Sequence, residues 1–163
     1  MATLLEMTVA LSLAVPVLSG AAFAGSPDDP VAVLDARQAA FNVRNLDAAM
    51  AFFADEATVT MLVGTPRQTQ YVGRDQIRRW QETLLKNQSV RVESVGERTV
   101  TGDTVTWTAM VSRDEWNRIG IDALRLWGEA VVREGKIVSL RNGLTLEAAE
   151  KLRAAVAKQK GER

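Results

Sequence analysis

The sequence predicts an α+β protein: a cone-shaped, curved antiparallel sheet wrapped by three helices, plus a helix at the C-terminus. Three observations predict it. Residues 105–113 alternate, with Val105, Trp107, Ala109 and Val111 on one side and Thr104, Thr106, Thr108 and Ser112 on the other, the period-two pattern of a half-buried strand. Residues 122–132 alternate again, placing Leu124, Leu126, Gly128 and Ala130 opposite Arg125, Trp127 and Glu129. A Glu134-Gly135 corner then turns the chain into a third strand carrying Ile137, Val138 and Leu140. A sheet with one apolar face needs a cover, and helices upstream of these strands supply it.

In chain order, residues 7–24 are mostly apolar and end in Ala22-Phe23-Ala24 before the polar Gly25-Ser26-Pro27-Asp28-Asp29. This is the outline of a secretory signal peptide over 1–24 with a small-x-small cleavage site, although no basic residue precedes the apolar run. The uninterrupted apolar run falls short of the ~20 residues that a spanning helix needs. The expected location is therefore periplasmic or secreted, with no membrane attachment after cleavage, and 25–30 is a linker. Asp29 followed by Pro30 starts a helix to about Arg44, with a capping carboxylate and proline at its first position. Asn45 caps a second helix over 46–53, and 57–63 is a short β-branched strand followed by a loop over 64–70. A third helix over 75–87 sets Ile77, Trp80 and Leu84 along one stripe. Residues 90–100 begin the large sheet. Thr145 caps a last helix in which Leu146, Ala149, Leu152 and Val156 recur at helical spacing before a Lys-rich, frayed end.

Composition removes several function classes. The 163 residues suit one domain with a real core. There is no Cys, hence no disulfide, thiolate metal site or thiol nucleophile, and no His, the commonest general base near neutral pH. Lys plus Arg equals Asp plus Glu at 20 each, leaving no basic field for nucleic acid. No cofactor or metal is expected. Asp114, Glu115, Arg118 and Asp122 cluster near a strand end, but a hard-cation site needs several converging oxygens, and such clusters are usually soluble turns.

Three segments, in order and at this spacing, carry a resemblance: residues 42–47 (NVRNLD) running on to 53–59 (FADEATV), residues 71–77 (YVGRDQI) and residues 135–141 (GKIVSLR). Over residues 31–144 the chain resembles the nuclear transport factor 2-like superfamily, in particular its SnoaL-like and ketosteroid isomerase-like branches. The resemblance implies a cone of helices and curved sheet around a deep pocket, with 145–163 as an added helix and tail. It implies an isomerase proton acceptor at Met61, an oxyanion-hole tyrosine at Arg37 and a protonated aspartic acid near Gly128. A related epoxide hydrolase arrangement maps near Ala109, Val111 and Asn142. None of these positions holds the family's group.

The expected ligand pocket is Val59, Met61, Tyr71, Trp80, Trp107, Ala109, Val111, Arg113, Leu126, Gly128, Leu140 and Asn142, with no catalytic residue assigned. Solid core packing is the competing reading of the apolar members. It depends on whether Trp80, Trp107 and Met61 fill the volume left above Ala109, Gly128 and Ala130. Arg113 and Asn142 point inward by strand parity, and a buried arginine needs an anion. Asp35, Arg37 and Gln38 form a polar helix face of the kind that is usually solvated. Trp127 lies on the opposite sheet face among charges, where an exposed aromatic suits a homodimer contact. The expected function is that of an exported protein that binds a small, mostly apolar molecule. An isomerase or polyketide cyclase-like enzyme with a non-standard acid-base group is the alternative, and a dimeric interaction module without ligand is a further one.

Overall fold

The structure, a computed structural model, describes residues 29–62, 68–86 and 90–161. The expected signal peptide, most of the linker and most of the 64–70 loop lie outside the described residues. The elements run α1 (Pro30–Asn42), α2 (Leu46–Met50), β1 (Phe53–Leu62), β2 (Thr69–Val72), α3 (Arg74–Lys86), β3 (Arg91–Thr101), β4 (Thr104–Ser112), α4 (Asp114–Asn117), β5 (Leu124–Arg133), β6 (Lys136–Leu144) and α5 (Leu146–Gly161). The strands form one sheet in the order β2-β1-β6-β5-β4-β3. Its pairs are antiparallel except β1 with β6, which run parallel, so the sheet is mixed.

The caps form as their residues dictate. The Asp29 carboxylate accepts from Val31 N at 2.9 Å, the Asn45 side chain from Ala48 N at 3.1 Å, and the Thr145 hydroxyl from Ala148 N at 3.3 Å. Glu134 and Gly135 both take positive φ, 50° and 68°, giving the β5–β6 hairpin the left-handed turn that suits strand twist. Curvature comes from register breaks between Phe53 and Thr58 in β1, between Val95 and Thr99 in β3, and between Val131 and Val132 in β5. Extra residues on one strand bend it and tighten its twist.

Several expectations shift. The second helix ends at Met50 rather than residue 53, because Phe53 already pairs with Ile137 at the start of β1. Thr69 and Gln70, expected in a loop, pair with Met61 and Thr60 as part of β2. The last helix stays helical through its Lys-rich part to Gly161, where Lys158 and Lys160 face the negative end of the dipole. Its buried stripe is rotated from the expected one. Ala148, Leu152 and Ala155 pack near Ile121 and Leu124, while Leu146 is 85 % exposed.

The main core joins α1, α2 and α3 to the inner face of the sheet through Val33, Leu34, Met50, Phe53, Ile77 and Leu140, among others. One transverse row, Tyr71-Val59-Leu140-Ala130-Val105, crosses five strands. From Val59 to Val105 its members are at most 2 % exposed, so the cone is solid here. Gln81 of α3 is wholly enclosed as well, and among the described residues neither end of its amide has a hydrogen-bond partner.

Candidate functional site

The next transverse row, Thr69-Met61-Asn142-Gly128-Trp107, is where the cone opens. Above it and toward the wide end lies a cavity of about 380 Å³, within the ~300–1,000 Å³ of small-molecule sites. The sheet contributes Met61, Trp107, Val111, Leu126, Asn142 and Leu144. Helix α1 contributes Arg37, Gln38 and Phe41, α3 contributes Trp80, Thr83 and Leu84, and Trp116 of α4 closes one end.

Eight of the twelve expected pocket residues line this cavity: Met61, Tyr71, Trp80, Trp107, Val111, Arg113, Leu126 and Asn142. The other four do not reach its wall. Val59 and Leu140 sit one row deeper, in the solid part of the cone, and Ala109 is fully buried between its strand neighbours Leu126 and Ser94. Gly128 lies under the Trp107 indole, which fills the volume that the missing side chain leaves.

Each wall is held by identifiable contacts. Tyr71 and Trp80 stack with centroids 5.3 Å apart and planes at 23°, joining β2 to α3. Gln38 donates from Nε2 to Val92 O at 3.3 Å and accepts at Oε1 from the Ser94 hydroxyl at 3.1 Å, fastening α1 to β3. Asp35, on the same helix, pairs with Arg98 of β3. The α1 face expected to be solvated is therefore divided. Asp35 stays exposed, Gln38 ties to the sheet and Arg37 enters the cavity wall. Alternation and helical spacing give no signal for this, because it depends on α1 crossing the sheet beside β3.

Two arginines line the cavity. The Arg37 guanidinium lies 5.2 Å from the centroid of Phe41 and 5.6 Å from that of Phe53, and among the described residues its Nε has no hydrogen-bond partner. Burial pulls its pKa down to about 10, so it stays charged at neutral pH. Arg113 occupies the N-cap position of α4 in extended conformation and lies 5.1 Å from the Trp116 ring, and among the described residues its Nε has no partner. Burial lowers its pKa, and nearby Glu115 opposes that shift. Asn142 Oδ1 is also without a partner among the described residues, while its Nδ2 lies 4.0 Å from Met61 Sδ. No Asp or Glu is among the described lining residues. Nor do three acidic side chains converge to hold a metal ion among the described residues.

A family model of the SnoaL-like domain matches residues 34–140. The chain belongs to the SnoaL-like family. Its fold is the nuclear transport factor 2-like, ketosteroid isomerase-like cone. No curated protein matches this SnoaL-like chain. Among solved structures it is similar to a protein named as a candidate polyketide cyclase from Sinorhizobium meliloti, with 24 % identity over 68 % of this chain and 92 % of that one, and a TM-score of 0.56. It is also similar to TerC co-crystallised with polyporic acid, with 14 % identity, 78 % and 98 % covered, and a TM-score of 0.61. A third is a ketosteroid isomerase-like protein from Catenulispora acidiphila in complex with trimethylamine, with 21 % identity, 72 % and 88 % covered, and a TM-score of 0.54. At these identities the likeness concerns the fold.

Proposed function

We propose that this SnoaL-like protein binds a small, mostly apolar molecule in the cavity between the wide end of the sheet and helices α1 and α3. One observation carries the reading: an aromatic cavity of about 380 Å³, walled by Tyr71, Trp80, Trp107 and Trp116, without a carboxylate among its described lining residues. Aromatic walls supply burial energy for a ligand, while Arg37, Arg113 and Asn142 orient its polar end. Structural relatives with polyporic acid or trimethylamine support small-molecule binding by this cone. Native mass spectrometry of the purified protein tests it. A retained small molecule is expected, and its loss in Leu126→Trp, which fills the cavity, places it there. A wild-type protein that retains nothing and binds no aromatic probe defeats the reading.

A catalytic reading has one observation in its favour. Arg37, at the position that the family resemblance assigns to the oxyanion-hole tyrosine, enters the cavity wall and could stabilise a developing enolate. Proton transfer would fall to Tyr71, since the wall offers no carboxylate among its described members and a charged guanidinium cannot accept a proton. Turnover of an enolisable ketone, abolished by Arg37→Met, would establish it. We further infer export, from the apolar segment ending at Ala24. N-terminal sequencing of the secreted protein is expected to begin at Gly25, and an uncut N-terminus would remove that inference.

A further inference from the structure

Resting on the pocket reading, we propose that the cavity is selective for an organic acid: an aromatic or alicyclic monocarboxylate whose carboxylate is held by Arg37, with Arg113 adding a second positive charge to the same wall. The basis is half-buried positive charge with no carboxylate in ion-pair contact among the described residues. Arg37 and Arg113 both line the cavity, and among the described residues neither has a carboxylate within ion-pair distance. A buried arginine without an anion is costly, and removing one partner of a buried pair is strongly destabilising.

The same molecule shows what an arginine with a structural role looks like. Arg98, whose side chain is only 8 % exposed, is paired with Asp35 and bonded to the Ser94 hydroxyl at 3.1 Å. Arg37, four residues before Phe41 on the same helix that carries Asp35, has ring faces around it and no acid in ion-pair contact among the described residues. Ring faces stabilise a cation partly, but they leave the guanidinium's in-plane donors unused. A carboxylate is the group that matches those donors, through two parallel N–H···O bonds. Arg113 is in part answered by Glu115, so Arg37 carries the main recognition. A cationic ligand would meet two like charges, and a neutral one would leave Arg37 without an anion. Asn142 offers an uncharged amide for a second polar group such as a hydroxyl.

The test compares three probes of one shape against the full chain by calorimetry and tryptophan quenching: 2-naphthoate, 2-naphthamide and 2-naphthylmethylammonium. The naphthoate is expected to bind at least tenfold more tightly than the amide, and the ammonium more weakly than either. In Arg37→Met the naphthoate is expected to fall to the affinity of the amide, with amide binding kept. Arg113→Met is expected to weaken naphthoate by a smaller factor. The wild-type comparison of acid with amide needs no variant, so poor folding of Arg37→Met leaves the test intact. Equal affinity for acid and amide, both lost in Leu126→Trp, overturns acid selectivity while leaving the pocket reading in place. Failure of all three probes to bind overturns the pocket reading and this inference together.

Discussion

The indole of Trp107 lies directly over Gly128, its cross-strand partner. A methyl group on Gly128 would stand 2.3 Å from Trp107 Cε2 and 2.9 Å from Asn142 Oδ1. The outer face repeats the device. Trp127 lies over its own partner Gly143, where a methyl would meet Nε1 at 2.8 Å. In both pairs an aromatic ring covers backbone that glycine leaves bare.

Gly128→Ala therefore cannot be absorbed without moving a ring that walls the cavity. The expected cost is about 1–3 kcal/mol, the usual penalty for overpacking. A changed tryptophan emission spectrum and weaker aromatic-probe binding should accompany it. Thermal melting and fluorescence check both, and an unchanged spectrum would mean that Trp107 is not held as described.

Gln81 should be replaceable at a gain. An enclosed amide with neither end bonded among the described residues costs roughly 1–3 kcal/mol, whereas a methionine of similar shape leaves nothing unsatisfied. Gln81→Met is expected to raise the melting temperature by roughly 3–6 °C. A lower melting temperature would show that the amide is satisfied in solution.

Arg37 sets stability against recognition. Replacing an unpaired buried charge with an apolar side chain of similar length is often neutral or stabilising by ~1–4 kcal/mol, and lost contact with the Phe41 and Phe53 rings offsets part of it. Arg37→Met is expected to gain about 1–2 kcal/mol in denaturant unfolding without ligand. The sign of the pH effect follows. With the folded-state pKa lowered to about 10, the unfolded chain holds the Arg37 proton more firmly, so this group's penalty is constant below that pH and shrinks above it. Carboxylate affinity should stay flat from about pH 6 to 9 and fall as Arg37 loses its proton near 10. Calorimetric titration across that range checks it.

Trp127 tests the homodimer contact expected from the sequence. The ring is half-buried within one chain, with the Arg141 guanidinium 5.9 Å from its centroid and Gly143 beneath it, and Arg141 is itself paired with Glu129 at 3.0 Å. A dimer through this face would finish covering it. Trp127→Gln is expected to shift the sedimenting mass from dimer to monomer, and a wild-type monomer at micromolar concentration would refute the pairing.

Much of this architecture is legible in the residues themselves. Alternation over 105–111 and 124–130 placed the inner faces of β4 and β5 correctly, and Asp29, Asn45, Thr145 and Glu134-Gly135 marked caps and a turn. Such signals are local: they depend on side-chain period, on a capping oxygen within three residues, or on a backbone that tolerates positive φ. Three outcomes depended on contacts between distant segments. The parallel pairing of β1 with β6 and the β2 edge needed strands to find partners. The volume above Gly128 went to Trp107 because sheet register set them opposite each other, and the cavity formed beside that indole rather than over the glycine. Arg37 left the solvated face predicted for it because α1 crosses the sheet where Phe53 and Phe41 can flank a guanidinium. Residue order determines period and punctuation, whereas the sign of charge inside a cavity is decided only when packing brings distant side chains to one wall.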